Sequence, residues 1–261
     1  MSKKKFLVSI IINCFNGEKY LKDCLESVRL QTYENWEIIF WDNKSKDNSK
    51  KIFKSFKDKR FKYFLAKKHT NLYEAKNLAL KKANGDIIAF LDTDDLWLKN
   101  KLQKQVNYLS QNSSINFVYS NLFKTKKFLL FDIKKKIFNK KLPEGYICNK
   151  LLNHYVVGWP TVVVRKKVIL KKKTFNEKID MLADYDFVMR YSYKNKIGVI
   201  QEPLAIYREH PDQVSRAKFF TQANQYVRWF LNEKKNKKLI QFKNFNKLEE
   251  KYEFYKVILQ L

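Results

Sequence analysis

Four short apolar runs, at residues 7–12, 36–41, 61–65 and 87–91, set the strongest limit on what this chain can become. Each is rich in β-branched or aromatic residues, bounded by turn formers, and too short to be a buried helix, so each is predicted to be a strand covered on both faces. The segments between them change period. In "GEKYLKDCLESVRLQ" the residues Tyr20, Leu21, Cys24, Leu25 and Val28 recur at helical spacing, with Asn16 expected as N-cap. In "NLYEAKNLALKKANG" the spacing puts Leu72, Ala75, Leu78 and Ala79 on one face, with Asn84-Gly85 as the stop. Strand–helix alternation of this kind implies right-handed crossovers and a parallel sheet, whose ligands gather outside the carboxyl ends of the strands. Asn13 and Asn16, then Asp42 and Asn43, then Asp92 to Asp95 follow three of these runs, so they are expected to converge on one edge.

The second half is less regular. "INFVYSNLF" reads as a further strand, and residues 124–141 read as a lysine-rich surface excursion. "MLADYDFVMRYSY" has the pattern of a helix with Leu182, Tyr185, Phe187 and Met189 partly buried. From Ala217 onward an amphipathic helix places Phe219, Phe220, Ala223, Tyr226, Val227 and Phe230 together. The expected organisation is a catalytic unit over residues 1–215 and a helical extension over 216–261, without internal repeats. Cys14, Cys24 and Cys148 are an odd number at no metal-ligand spacing, which suits reduced thiols. "MSKKKFLVSIIINCFNG" imitates a secretory leader, but its apolar run is short and lacks a small-residue cleavage site, so it reads as the first strand. No apolar segment approaches the ~18 residues needed to span a membrane.

The fourth run ends abruptly in charge. "AFLDTDDLWL" packs Asp92, Asp94 and Asp95 into four residues of a chain with 26 acidic and 54 basic residues. Clustered carboxylates repel one another and desolvate badly, so a divalent cation, basic side chains or helix amides must neutralise them. On an extended chain, Asp92 and Asp94 would share a face, while Asp95 could cap a helix starting near Leu96.

Together, these segments resemble family 2 glycosyltransferases. "VSIIINCFNGEKYLKDCLESVRLQTYENWEIIFWDNKSKDNS" is similar to the family's opening strand, helix and second strand. "AKNLALKKANGDIIAFLDTDDLWLKNKLQKQV" resembles the approach to its Asp-x-Asp motif, and "LADYDFVMRYSYKNKIGVIQEPLAIYREHPDQVSR" its acidic catalytic segment and Tyr-Arg-x-His. The resemblance runs from about residue 6 to about residue 216 and implies an α/β GT-A fold: a Rossmann-like, mostly parallel central sheet with flanking helices, here followed by a C-terminal helical extension. It also implies inverting transfer from a nucleotide-diphospho-sugar with Mg²⁺ or Mn²⁺. A hard cation with oxygen ligands would stabilise the charge developing on the diphosphate.

By this resemblance Asp94 coordinates the metal, and Asp92 contacts the ribose or shares the metal shell. Asn13 and Phe15 stand where the base is contacted, and Asp42 and Asn43 where base and ribose are read. Asn43 replaces the usual second acid there. Lys76 stands where a basic residue often approaches the donor, or is a solvated helix lysine. Ala183 replaces the first acid of the catalytic pair, Asp184 takes the position of the general base, and Asp186 lies about 200° around the helix. His210 is a candidate for metal or diphosphate contact, with Arg208 beside it. Trp159, Thr161 and His154 are expected on the acceptor side.

A formal charge of +28 makes a nucleic-acid-binding protein the rival class, but no helix-turn-helix, zinc or RNA-binding signature accompanies it. A nucleotidyltransferase of similar fold would call for a glycine-rich phosphate loop near the N-terminus. Lysine clusters at 134–136, 165–167 and 171–173 beside amphipathic aromatics fit a peripheral enzyme better. The expected partners are therefore a donor, UDP-linked by preference, a glycan or lipid-linked acceptor, and an anionic membrane surface, with no nucleic acid. The expected place is the cytoplasm, at the inner face of the membrane of a bacterium building a surface glycan. The sequence leaves oligomerisation open.

Overall fold

The predicted strands pair into one sheet. A computed structural model describes residues 5–128, 131–169, 174–211, 213 and 218–260. Nine strands are described: β1 (Val8–Cys14), β2 (Trp36–Asp42), β3 (Phe61–Leu65), β4 (Ile87–Phe90), β5 (Leu96–Trp97), β6 (Phe117–Phe128), β7 (Phe131–Lys136), β8 (Val163–Arg165) and β9 (Gly198–Glu209). Their order is β3-β2-β1-β4-β8-β6-β9-β5, with β7 hairpinned onto β6. The first four are mutually parallel. β8 runs against both β4 and β6, and β9 runs with β6. Strands β1, β2, β3, β4, β6 and β9 therefore deliver their carboxyl ends to a single edge, the geometry in which parallel sheets hold ligands.

Every residue of β1, β2 and β4 is buried, as covered parallel strands require. Alternate side chains enter different cores. Ile11, Ile39 and Phe90 pack under α3 (Leu72–Leu80), α5 (Cys148–Asn153) and α6 (Ala183–Ser192). Ile10, Ile12, Ile38 and Phe40 pack under α1 (Glu18–Arg29), α2 (Ser49–Ser55) and α4 (Lys101–Gln111). The three cysteines are free and buried, in agreement with reduced thiols.

Local details depart from the sequence reading. Gly17, not Asn16, precedes the first turn of α1. Asn16 instead takes a left-handed conformation at φ 53° and accepts a hydrogen bond from the Lys46 amide at 2.8 Å, tying the loop after β1 to the loop after β2. Helix α3 buries Tyr73, Ala75, Lys76, Asn77, Ala79 and Leu80 and leaves Leu72 exposed. Its buried face is thus rotated toward polar residues. Asn77 explains part of that, exchanging bonds with the backbone of Phe175 at 2.9 and 3.0 Å. Gly85 does not end the helix, which stops at Leu80. It sits against β1, where a Cβ would lie 2.6 Å from the Ser9 amide nitrogen.

The lysine-rich excursion is a β-ribbon, with Phe123 to Phe128 of β6 paired to β7. The C-terminal segment forms two helices, α7 (Phe219–Asn236) and α8 (Phe245–Gln260). Ala223, Tyr226, Trp229 and Phe230 of α7 are buried, whereas Phe219 and Phe220 are exposed. The apolar face expected to meet a bilayer therefore packs inward, with Phe230 stacked on Tyr252 at 4.7 Å and joined to the core that contains α6. The boundary at 215/216, the start at Ala217 and the lysine cluster 171–173 lie outside the described residues. No described helix is long and apolar enough to cross a membrane.

Gly85→Ala is expected to destabilise the protein by roughly 1–3 kcal/mol, because the new methyl meets backbone that cannot yield. Urea unfolding with an unchanged midpoint would show that β1 can move away.

Candidate active site

The carboxyl ends of β1, β2 and β4 are stitched side by side, the Asn43 amide donating to the Cys14 carbonyl at 2.8 Å and the Leu91 amide to the Ile11 carbonyl at 3.1 Å. This register brings the residues following each strand to one edge of the sheet. At its β1 end, Asn13 is 7% exposed and both polar atoms of its amide are buried without a hydrogen-bond partner. An unpaired buried amide costs about 1–3 kcal/mol, so it is a site awaiting a donor and an acceptor. Phe15, 49% exposed, stands beside it with its ring 4.3 Å from that of His69. His69 was not singled out in the sequence. Its position in the loop after β3, at the same sheet edge, was the signal that could have found it.

Asp42 and Asn43 are occupied by the protein itself. Asp42 accepts from the Ser45 amide at 2.7 Å and from the Tyr63 hydroxyl at 2.5 Å. Burial and that carboxylate push the Tyr63 phenol well up. Asn43 donates to the Thr70 carbonyl at 2.7 Å and accepts from the Thr70 amide at 3.1 Å, while its own carbonyl meets His69 Nδ1 at 2.9 Å. The Asn43 amide thus shapes the loop that presents His69.

The acidic cluster is a turn rather than an extended segment, closed by the Asp95 amide donating to the Asp92 carbonyl at 3.1 Å. The turn sends its carboxylates three ways. Asp92 pairs with Lys76 Nζ at 2.9 Å. Asp94 lies 3.1 Å from His210 Nε2. Asp95 is 3% exposed and accepts the backbone N–H of Arg208 at 3.1 Å. Asp95 is therefore no helix cap: β5 follows it, and α4 begins only at Lys101. Burial, then the charge of Asp92, raises the Asp94 carboxyl, against the pull of His210. Burial and both neighbouring carboxylates raise Asp95 much further.

Lys76 is not a solvated helix lysine. It is 1% exposed, with Nζ 5.1 Å above the Trp159 ring and 5.0 Å above that of Tyr73. Its charge reaches Asp184 as well. Burial raises the Asp184 carboxyl, Lys76 lowers it, Asp92 raises it, and the Tyr73 hydroxyl, bonded to it, lowers it. Asp186 faces away as the helical spacing required, buried between Arg190 Nε at 2.7 Å and Trp229 Nε1 at 3.1 Å. His210 packs on Tyr20 at 4.6 Å, and Arg208 lies over the same ring at 4.8 Å while pairing with Asp23 at 3.2 Å. The second guanidinium nitrogen of Arg208 is buried without a hydrogen-bond partner.

The residues expected on the acceptor side differ in their surroundings, Trp159 and Thr161 sharing one turn and His154 standing apart from it. Thr161 is fully buried and donates to the Gly158 carbonyl at 2.6 Å, and Trp159 packs 4.5 Å from Phe90. His154 is exposed near Phe138. The chain stays apolar at Trp159 because that ring closes the core beneath Lys76.

Asp94 and His210 offer an oxygen and an imidazole nitrogen within reach of one another, a donor set that suits Mn²⁺ or Mg²⁺. Among the described residues no group of three or more acidic, histidine or cysteine side chains is placed to hold a metal ion. The remaining coordination positions would thus fall to ligand oxygens and water.

Comparison with known proteins shows the family and the fold. The family model for glycosyl transferase family 2 matches residues 9–177, so Asp184 and His210 lie beyond the matched segment. An Escherichia coli protein described as UDP-Glc:alpha-D-GlcNAc-diphosphoundecaprenol beta-1,3-glucosyltransferase is 34% identical over 164 residues, which cover 63% of this chain and 62% of that protein. The fold is also similar to that of S. aureus TarS 1-349 in complex with UDP-GlcNAc, with a TM-score of 0.71 at 16% identity over 95% of this chain and 71% of that one. It is similar too to the mannosyltransferase PcManGT from Pyrobaculum calidifontis in complex with GDP-Man and Mn2+, with a TM-score of 0.62 at 15% identity over 89% of this chain and 65% of that one.

If Asp95 serves as the acceptor for the Arg208 amide, Asp95→Asn should unfold thermally close to the wild type, since an amide oxygen still accepts. Asp95→Ala should lose about 1–3 kcal/mol by leaving a buried N–H unpaired. Equal losses in the two variants, measured by denaturant unfolding, would mean that the negative charge itself matters.

Proposed function

Since the chain belongs to glycosyltransferase family 2 and has the GT-A fold, we propose that it is an inverting transferase. It would move a sugar from a nucleotide-diphospho-sugar to a hydroxyl of a glycan or lipid-linked acceptor, in the synthesis of a bacterial surface polysaccharide. The observation that carries this reading is the shared sheet edge that holds an unpaired Asn13 amide and the Asp94–His210 pair, with Asp184 tied electrostatically to Lys76 and Asp92.

Asn13 offers a donor and an acceptor to the edge of a base, and Phe15 offers a ring face. The loop held by Asn43 brings His69 to the same place. Asp94 and His210 would hold Mg²⁺ or Mn²⁺, which when bound supplies positive charge to a departing diphosphate. Lys76 keeps Asp92 in place and keeps Asp184 ionisable despite its burial. Asp184 then accepts the proton of the acceptor hydroxyl as that oxygen attacks. A uracil nucleotide is favoured by the UDP-GlcNAc complex of TarS, while the GDP-Man complex of PcManGT keeps guanine as the alternative to test. A lipid-linked acceptor is supported by the diphosphoundecaprenol-linked substrate in the E. coli relative's name. Such an acceptor would put the enzyme at the cytoplasmic face of an anionic membrane. Lysines, together with exposed Phe219, Phe220, Phe254 and Val257, would supply the attraction there. In this reading residues 1–215 act as the catalytic unit, and the 216–261 extension braces α6 through the Trp229–Asp186 bond.

Asp94→Ala should abolish metal-dependent binding of UDP or GDP while the protein still folds. Calorimetry in which both nucleotides bind the variant as well as the wild type would sink the metal assignment.

Asp184→Asn should lower turnover by roughly 10²–10⁴-fold with donor affinity little changed, and Asp186→Asn should leave turnover near normal. A general base works only when ionised, and burial raises the Asp184 carboxyl. Turnover should therefore fall, as pH drops, at a pH above the ordinary carboxylate value of about 3.9. Lys76→Met removes a charge that lowers Asp184, so this acid limb should move to higher pH. A limb that stays in place in kcat/KM profiles would show that another group titrates.

A further inference from the structure

Three hydrogen bonds between the loops after β2 and β3 fix the place of one exposed imidazole. Asn43 holds Thr70 from both sides, donating to its carbonyl at 2.7 Å and accepting from its amide at 3.1 Å. The Asn43 carbonyl meets Nδ1 of the neighbouring His69 at 2.9 Å. Asn43 is itself tied to β1, its amide donating to the Cys14 carbonyl at 2.8 Å. His69 is nonetheless an exposed residue. An exposed side chain held this firmly is pre-organised for a ligand, since ordering it beforehand lowers the cost of binding.

The same bond fixes which nitrogen faces outward as an acceptor. A carbonyl oxygen only accepts, so Nδ1 carries the hydrogen, and in the neutral ring Nε2 is then an acceptor. Phe15 brings its ring to 4.3 Å from that of His69. Cys14 pairs with Asp42 in the ladder, so Phe15 follows level with Asn43, whose carbonyl holds the imidazole. Asn13, two residues before Phe15, has a buried side-chain amide with no hydrogen-bond partner on either atom. One stretch of the sheet edge thus combines an aromatic ring, an acceptor nitrogen of known tautomer and an unpaired amide.

The two residues expected to read the base do not offer that acceptor. Asp42 is 1% exposed, with its carboxylate bonded to the Ser45 amide and the Tyr63 hydroxyl. Asn43 is 5% exposed, with its amide oxygen bonded to Thr70. We infer that His69 determines the base of the donor nucleotide, accepting the N3–H of a uracil ring at Nε2. In uracil a carbonyl flanks N3–H on each side, so an N–H of Asn13 beside Nε2 meets an acceptor whichever way the ring faces. Guanine places a carbonyl on only one side of its N1–H. Cytosine and adenine turn a bare ring nitrogen toward Nε2, acceptor against acceptor, which leaves both unpaired. The inference rests on the reading of the chain as a glycosyltransferase and gives that reading its nucleotide.

The test measures the binding of UDP, N3-methyl-UDP, CDP and GDP, each with Mn²⁺, to the full chain and to two variants in mildly alkaline buffer. His69→Phe keeps a ring beside Phe15 and removes the nitrogen, and His69→Ala removes both, so a folding failure of one leaves the other to decide. The wild type should bind UDP about tenfold or more tightly than N3-methyl-UDP or CDP, and more tightly than GDP. In His69→Phe, UDP should weaken about tenfold while CDP keeps its wild-type affinity, so the preference between them falls to within about threefold. Equal binding of UDP and N3-methyl-UDP by the wild type overturns the inference, and so does a wild-type preference retained by the variants. Tighter binding of GDP than of UDP overturns it too, because the occupant is then a purine. A wild type that binds none of the four diphosphates counts instead against the glycosyltransferase reading, which keeps the two failures apart.

Discussion

Three carboxylates in four residues hold together because α3 and the end of β9 bring each of them a partner. Lys76 comes from α3, His210 from the residue after β9, and the Arg208 amide from β9 itself. The rest of the molecule is arranged around that requirement. β9 must lie close enough to the turn after β4 to lend a backbone donor, and the short β5, pairing Leu96 with Ile206 and Trp97 with Ala205, holds it there. The second half of the chain is thereby locked onto the first through the site itself.

The electrostatics follow from the same arrangement. Asp94 and Asp95 are raised by burial and by their neighbours' charges, the kind of repulsion that a bound cation relieves. Lys76 is the counterweight. A fully buried lysine is expensive unless paired, and here its single charge serves Asp92 directly and Asp184 at longer range. Asp92 and Asp184 thus share one cation. Through it the charge of Asp92 bears on the Asp184 carboxyl, which Lys76 lowers and Asp92 raises.

Much of this was legible in the sequence. Strand–helix alternation foretold the parallel core and the shared edge, and helical geometry separated Asp184 from Asp186. What was not legible depended on partners distant in sequence. Asp95 looked like a helix cap because Asp before an apolar stretch commonly is one; only the approach of Arg208, 113 residues on, gives it a different task. Asn16 looked like an N-cap for a similar reason, until the loop after β2 claimed its side chain. Lys76 was ambiguous because the helical period of α3 says which residues share a face but not what that face meets. Asn43, taken for a base-reading group, has its amide engaged by Thr70 in a loop whose path no local rule predicts.

The C-terminal pair carries the same lesson into the question of location. An amphipathic helix with an aromatic face satisfies a membrane surface and a protein core equally well, because both offer an apolar contact on one side and water on the other. The packing of Tyr226, Trp229 and Phe230 against the α6 side of the sheet resolves that ambiguity in favour of the core. Any bilayer affinity therefore has to come from lysines and from a few outward aromatics such as Phe220 and Phe254, not from an inserted helix face. Contacts of that kind are weak singly and screened within about 10 Å at moderate salt. They would let an enzyme sample a membrane reversibly while its cleft, braced from behind by Trp229 on Asp186, keeps its shape.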